Sequence, residues 1–256
     1  MTSRFPSLFI GHGSPMNIIL DNDFTRSLGL LGKSLPRPSA ILVISAHWLT
    51  DHTFVSVNAK PRQIYDFYGF PEELYQIKYE PAGSPELAQE ISFLTKGLVQ
   101  VSDSWGLDHA AWAVLHHIYP EADIPVIELS LNLRAQSDYH KLLGKKLSIL
   151  RNKGILIISS GNIVHNLSMI DFDSNATPYP WALSFDQSIQ SIIDTKDFTS
   201  LYDYKKLHHA SMAIPTPDHF IPLLYFLADI EPDDKIEIVH EGIQNGSVSM
   251  RTLISY

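Results

Sequence analysis

Twelve histidines and no cysteine are present in the chain. Thiolate metal sites, disulfides and cysteine nucleophiles are therefore excluded together, and any metal must be held by imidazole, carboxylate or backbone oxygen. Imidazoles suit zinc, iron, copper and nickel alike, so donor type alone leaves the metal open. Position singles out particular histidines. His12 stands between two glycines in Gly11-His12-Gly13-Ser14-Pro15, where the backbone can approach a ligand closely. His47 lies in Ser45-Ala46-His47-Trp48, directly after an apolar run. His165 lies in Gly161-Asn162-Ile163-Val164-His165-Asn166, and its ring suits either a ligand or a proton-transfer group. His219 ends Pro215-Thr216-Pro217-Asp218-His219, where two prolines stiffen the approach and Asp218 or Thr216 is placed to cap a following helix.

Metal chemistry needs several donors on one centre with a position left open. The two-histidine, one-carboxylate set of non-haem Fe(II) keeps Asp218 and Glu241 as rivals to a third imidazole. His109, in Trp105-Gly106-Leu107-Asp108-His109-Ala110-Ala111-Trp112, suits a pocket wall with one polar group aimed at a substrate; its alternative is a core histidine paired with Asp108. His116-His117 and His208-His209 are adjacent pairs, which do not face one another on a helix. They and His52, His140 and His240 are read as structural or solvated.

The elements that must carry these side chains follow from periodicity. Ser7 to Ile10, Ala40 to Ser45 and Gly154 to Ser159 are continuous apolar runs, the pattern of strands covered on both faces, and each empties into one of the histidine-bearing segments. Pro125 to Leu131 and Ile236 to Val239 read as further strands. Ser84-Pro85 opens a helix, Asp138 to Lys153 forms another that stops at Gly154, and Trp181 to Asp194 a third. The Gly161-Asn162 pair predicts a sharp turn into a helix carrying His165. Helices alternating with buried strands imply a layered α/β fold, and in such folds ligands collect outside the carboxyl ends of the strands. No repeat, low-complexity tract or linker breaks the chain, so residues 1–256 read as a single domain.

Composition narrows the classes. At 256 residues, 45% hydrophobic and 18% charged, the chain is long enough to bury a sizeable core. A formal net charge of −9, with no basic run longer than two, argues against nucleic acid or an anionic membrane as partner. The apolar stretch near the N-terminus is too short for a signal sequence, and no window approaches the ~18 apolar residues of a membrane span, so a cytoplasmic protein is expected. His-Glu-x-x-His, Gly-x-Ser-x-Gly and phosphate-loop patterns are lacking, which weakens protease, serine-hydrolase and nucleotide readings. The aromatic clusters at Tyr65 to Phe70 and Tyr179 to Trp181 fit loop anchors packed on the core, or a pocket wall for an aromatic substrate.

Taken in order, the motifs around His12, His47, Asp66 to Tyr75, His109, His165 and His219 resemble the class III, LigB-type extradiol ring-cleavage dioxygenases, and within them the 4,5-DOPA dioxygenase extradiol group. The resemblance runs from Phe5 to about Ser249. It implies one α/β catalytic domain with a central mixed, mostly parallel sheet flanked by helices, of the LigB-like, phosphorylase/hydrolase-like type. It implies one divalent metal per chain near His12, His47 and His219 with His165 beside it, histidine standing where better-known LigB-type enzymes have glutamate. Fe(II) is expected for turnover, because zinc has no redox chemistry with O2, although Zn(II) also fits an all-imidazole site. His165 and His109 are the implied catalytic residues, and His109, Ser14 and Trp48 the implied substrate contacts. The implied reaction opens a DOPA-like catechol with O2 beside its two hydroxyl-bearing carbons, giving a semialdehyde. Two other readings of the same residues stay open: a zinc hydrolase, and a non-catalytic ligand-binding protein on this fold.

Overall fold

The computed structural model describes residues 4–256. Its strands are β1 (Ser7–Gly11), β2 (Ala40–Thr50), β3 (Thr53–Ser56), β4 (Val99–Ser102), β5 (Val126–Asn132), β6 (Ile155–Gly161), β7 (Ile236–His240), β8 (Ile243–Gln244), β9 (Val248–Ser249) and β10 (Thr252–Ser255). Its helices are α1 (Asp23–Ser34), α2 (Glu72–Gln76), α3 (Pro85–Leu94), α4 (His109–Ile118), α5 (Ser137–Leu147), α6 (Pro180–Thr195), α7 (Ala210–Ala213) and α8 (Ile221–Asp229). Eight strands form one sheet in the order β4-β3-β5-β2-β6-β1-β10-β7, and β8 and β9 pair separately. The central strands β5, β2, β6 and β1 run parallel, whereas β10 and β7 close one edge in antiparallel fashion.

The apolar runs are continuous because both faces of the sheet are covered. Leu8, Ile10, Ile41, Val43, Leu156 and Ile158 point to one side, where Phe24 and Leu28 of α1 and Trp112 and Leu115 of α4 close over them. Leu42, Ile44, Ile155 and Ile157 point to the other, against Leu87 of α3, Leu143 of α5 and Tyr225 of α8. Phe9 and Leu253 meet α6 and α8 through Phe185, Ile189 and Phe226. The result is a single α/β domain with a mixed, mostly parallel sheet between helical layers, as the alternation of elements requires.

Three local expectations change. The helix expected over Asp138 to Lys153 is α-helical only to Leu147; Ser148–Lys153 tightens into a 3₁₀ turn, and Gly154 ends it at φ 74° in the left-handed region that glycine tolerates. His165 is not on a helix. The backbone around it is claimed by crossing segments: Asn162 N–H donates to the carbonyl of His219, His165 N–H to that of Ala213, and Ser249 N–H to that of Val164. These bonds hold the stretch out of a helix, bent at Ile163 and Val164, with His165 bridged to Val248. Asp218 and Thr216 do not cap α8, whose N-cap is Phe220 with no side-chain cap. The Asp218 carboxylate turns instead to His219.

Candidate metal centre

β2, β6 and β1 are neighbours in the sheet and run parallel, so their carboxyl ends share one edge. Gly11 is in register with Gly161, and Ser45 with Ser160. His12 therefore leaves the end of β1, and the segment leading to His165 leaves β6 beside it; His47, expected just past a strand ending at Ser45, instead lies within β2 where its pairing with β5 shifts register between Ile44 and Leu49, because the strand runs on to Thr50. His219 comes from a distant part of the sequence. Its backbone carbonyl is held by the Asn162 N–H at 2.8 Å, and the Asn162 amide donates in turn to the Ser249 carbonyl at 2.8 Å.

The rings of His12, His47 and His219 form a near-equilateral triangle, with centroids 5.1 Å, 5.2 Å and 5.0 Å apart. The Nε2 atoms of His12 and His47 lie 3.1 Å apart. Each ring has its Nδ1 engaged elsewhere. His12 Nδ1 lies 3.1 Å from the Ser160 hydroxyl, which itself donates to the Ala110 carbonyl and must therefore accept from the imidazole. His47 Nδ1 donates to Asp66 at 3.1 Å, and His219 Nδ1 to Asp218. With the proton on Nδ1, each Nε2 carries a lone pair. That of His219 is buried without a partner, and those of His12 and His47 face each other at a separation that a cation with ~2.0–2.1 Å bonds to nitrogen would span. An imidazole whose other nitrogen is oriented by a carboxylate or hydroxyl is the arrangement of metal-binding histidines, and this donor set fits a divalent metal.

The electrostatics agree. Burial first, and the neighbouring imidazoles second, pull His12 and His219 well below the ordinary histidine pKa, which keeps both neutral. Burial also works against charge on His47, but its hydrogen bond to Asp66 and the nearby Asp108 outweigh this and raise it. Asp66 is pushed up by burial, but bonds from His109 and His47 prevail and hold it well below the usual carboxylate range.

His109 is the first residue of α4, whose N-cap Asp108 accepts from Ala110 N–H. Asp66 takes both the backbone N–H of His109, at 2.9 Å, and its Nδ1, at 2.8 Å, so one carboxylate orients His47 and His109 together. Those two rings are 4.2 Å apart. His165 is stacked flat on His219, at 3.4 Å and 7°, and burial lowers its pKa to about 4. Ser14 caps the short turn Pro15–Ile18 and lines a narrow cavity with His12 and His109. Trp48 is buried and stacked on Trp105, with ring centroids 5.8 Å apart. Glu241 is largely exposed and near Arg251, outside the histidine cluster.

Two residues that organise the site, Asp66 and Ser160, escaped assignment from sequence. Asp66 is the one ionisable group inside the Tyr65 to Phe70 aromatic segment, and that contrast was the available signal. The aromatics themselves pack on the core: Tyr65 and Phe67 meet Trp112, and Phe67 reaches the edge of His109 at 5.6 Å. Ser160 lies within a buried strand and carried no signal.

The family described as the catalytic LigB subunit of aromatic ring-opening dioxygenase matches residues 10–251. A 4,5-DOPA dioxygenase extradiol of Escherichia coli (strain K12) is 42% identical over 254 residues, covering 97% of this chain and 94% of that protein. A 4,5-DOPA dioxygenase extradiol of Beta vulgaris is 37% identical, covering 95% and 93%. A crystal structure of an uncharacterized protein from Escherichia coli K12 superposes with a TM-score of 0.86 at 38% identity, covering 98% of this chain and 99% of that one. The chain belongs to the LigB family and is an extradiol aromatic ring-opening dioxygenase.

Proposed function

We propose that residues 1–256 form one catalytic domain that opens a DOPA-like catechol, with His12, His47 and His219 holding a single Fe(II). The observation that carries the ligand assignment is the triangle of rings whose Nδ1 atoms are all engaged, leaving three Nε2 lone pairs free. Donor atoms also lie close together in the sets His12, His47, His109 and His165, Asp218, His219. The triangle is preferred because Asp218 is spent on His219, His165 lies flat on that same ring, and His109 shares its carboxylate with His47. When bound, the iron supplies the redox chemistry by which O2 reacts with an otherwise spin-protected aromatic ring; zinc in the same nitrogens would not.

The protein's own groups handle protons and orientation. His165 makes no hydrogen bond through its ring within the described residues, and at neutral pH it is uncharged, so a catechol hydroxyl can pass it a proton. The same ring returns that proton as the product leaves. His109, with Nδ1 pinned to Asp66, presents Nε2 as an acceptor toward a substrate hydroxyl. Ser14 is proposed to reach the substrate from the turn it caps directly after His12, and Trp48 steadies the part of β2 that bears His47 through its stack on Trp105. Both atoms of O2 enter the product, in the new aldehyde and carboxylate ends of the opened ring. No helix among the described residues is long and apolar enough to cross a membrane; the cytoplasm is the proposed location, and no nucleic acid is among the proposed partners.

The test is O2 uptake together with absorbance of a yellow ring-fission product, after anaerobic Fe(II) loading and addition of DOPA or a simple catechol. Product with iron and none with zinc supports the proposal. Turnover by the zinc form without O2 uptake would replace it with a hydrolase, and silence across a catechol panel at full metal occupancy with a binding protein.

A further inference from the structure

Glu128 of β5 and Asp108, the N-cap of α4, are two fully buried carboxyls that take no part in the chemistry above. Side chains alternate along a strand, and two residues before Glu128 on the same face, Val126 belongs to the apolar core that α4 covers. An aliphatic side chain at 128 would suit that core. A carboxyl there is disfavoured unless its hydrogen bonds are met.

They are met by groups that lead to the histidine cluster. Glu128 Oε1 accepts from the Trp105 indole N–H at 2.9 Å, and Oε2 from the backbone N–H of Asp108 at 3.1 Å. The same indole N–H reaches Asp108 Oδ2 at 3.3 Å. Burial, and then the charge of Asp108, push the Glu128 carboxyl well above the usual range, so it is held as the neutral acid and shares its proton with the Asp108 carboxylate.

Two arms run from this pair to His47. The Ser45 hydroxyl donates to Asp108 Oδ2 at 2.7 Å and accepts from the His47 N–H at 3.0 Å. The Trp105 ring lies at 7° to that of Trp48, the residue after His47. The sheet does not fix this stretch by itself, because the pairing of β2 with β5 shifts register between Ile44 and Leu49. A third arm reaches His109: Asp108 Oδ1 accepts from the Ala110 N–H and so starts the helix of which His109 is the first residue.

We propose that Glu128 is a positioning residue of the ring-opening reaction, which, through Trp105 and Asp108, fixes His47 and His109 relative to one another. The inference rests on the ligand and proton-transfer roles given to those two histidines above.

Glu128→Gln keeps the volume, but its one carbonyl cannot accept from both the Trp105 and the Asp108 N–H groups. It is expected to weaken Zn(II) binding to metal-free protein roughly tenfold through His47, the lower end for a lost supporting contact. At full iron occupancy, kcat is expected to fall by a similar factor through His109, with KM for catechol unchanged. Trp105→Phe keeps the aromatic stack and removes the N–H, so it is expected to weaken Zn(II) binding too, and the double variant to bind no more weakly than Glu128→Gln alone. If Glu128→Gln does not fold, Trp105→Phe carries the affinity and kcat measurements by itself. A carboxyl that only stabilises the fold would lower the urea midpoint and leave affinity and kcat of the folded variant unchanged, which overturns the proposal. A loss confined to affinity or to kcat, or fully additive losses in the double variant, also overturns it. Wild-type protein that binds Zn(II) yet opens no catechol when iron-loaded would remove the ring-opening reading, and the Zn(II) titrations would still decide whether Glu128 holds His47.

Discussion

Gly161 lies against the backbone carbonyl of His219 so closely that a β-carbon on the glycine would come within 2.3 Å of that oxygen. The end of β6 is thus the seat on which the most distant of the four clustered motifs rests. Gly161→Ala is expected to displace His219 and weaken metal binding by roughly 10- to 100-fold, the range seen when a ligand loses its support. Isothermal titration with Zn(II) on folded variant reads it directly. Wild-type affinity in the alanine variant would show that the loop shifts without moving the ring.

Loss of His12, His47 or His219 to alanine is expected to abolish stoichiometric metal, while His165→Gln and His109→Gln keep it and turn over slowly. Metal content by elemental analysis beside O2 uptake separates the two groups. Equal metal and equal activity in all five variants would defeat the assignment.

Asp66 orients two imidazoles with one carboxylate, so Asp66→Asn is expected to do double damage. Metal affinity falls by roughly 10- to 100-fold through His47, and kcat falls at saturating metal through His109. A variant that lost only affinity would remove His109 from the chemistry.

His140 is buried beside the Tyr225 hydroxyl, 3.1 Å from its Nδ1, with its Nε2 unpartnered. Burial lowers its pKa to about 4 in the folded protein. The unfolded chain, at about 6.5, binds the proton first as pH falls. Stability from this group is therefore complete above about pH 6.5 and lost on acidification toward pH 4, by on the order of 3 kcal/mol. Urea denaturation across that range should show a shallower pH slope in His140→Phe than in wild type. An unchanged slope would mean that the ring charges freely in the native state.

Arg151 is fully buried and ties chain segments together. Its guanidinium meets Asp234 at 3.0 Å and Asp229 at 3.3 Å and donates to the carbonyls of Phe5 and Ser255. Arg151→Met leaves two buried carboxylates with Arg4 as their one remaining arginine partner and is expected to cost about 3–5 kcal/mol in chemical denaturation. A loss under 1 kcal/mol would show that Arg4 suffices.

What the sequence determined by itself was the set of central strands and the histidines near their carboxyl ends. A strand covered on both faces must be apolar at every position, so β1, β2, β5 and β6 announce themselves, and a histidine after such a run has few places to be except the sheet edge. Strands β3, β4, β8, β9 and β10 were not legible, being only two to four residues long and stable through their neighbours. The helix expected for His165 failed for a related reason: local turn chemistry was outbid by three hydrogen bonds from segments remote in sequence. Only the tertiary structure decided the support of the site, the Ser160 hydroxyl under His12, the Asp66 carboxylate shared by His47 and His109, and the stack of His165 on His219. Hydrogen bonds between side chains dozens of residues apart leave no periodicity in the chain, because they are specified by where the strands end in space and not by spacing along it.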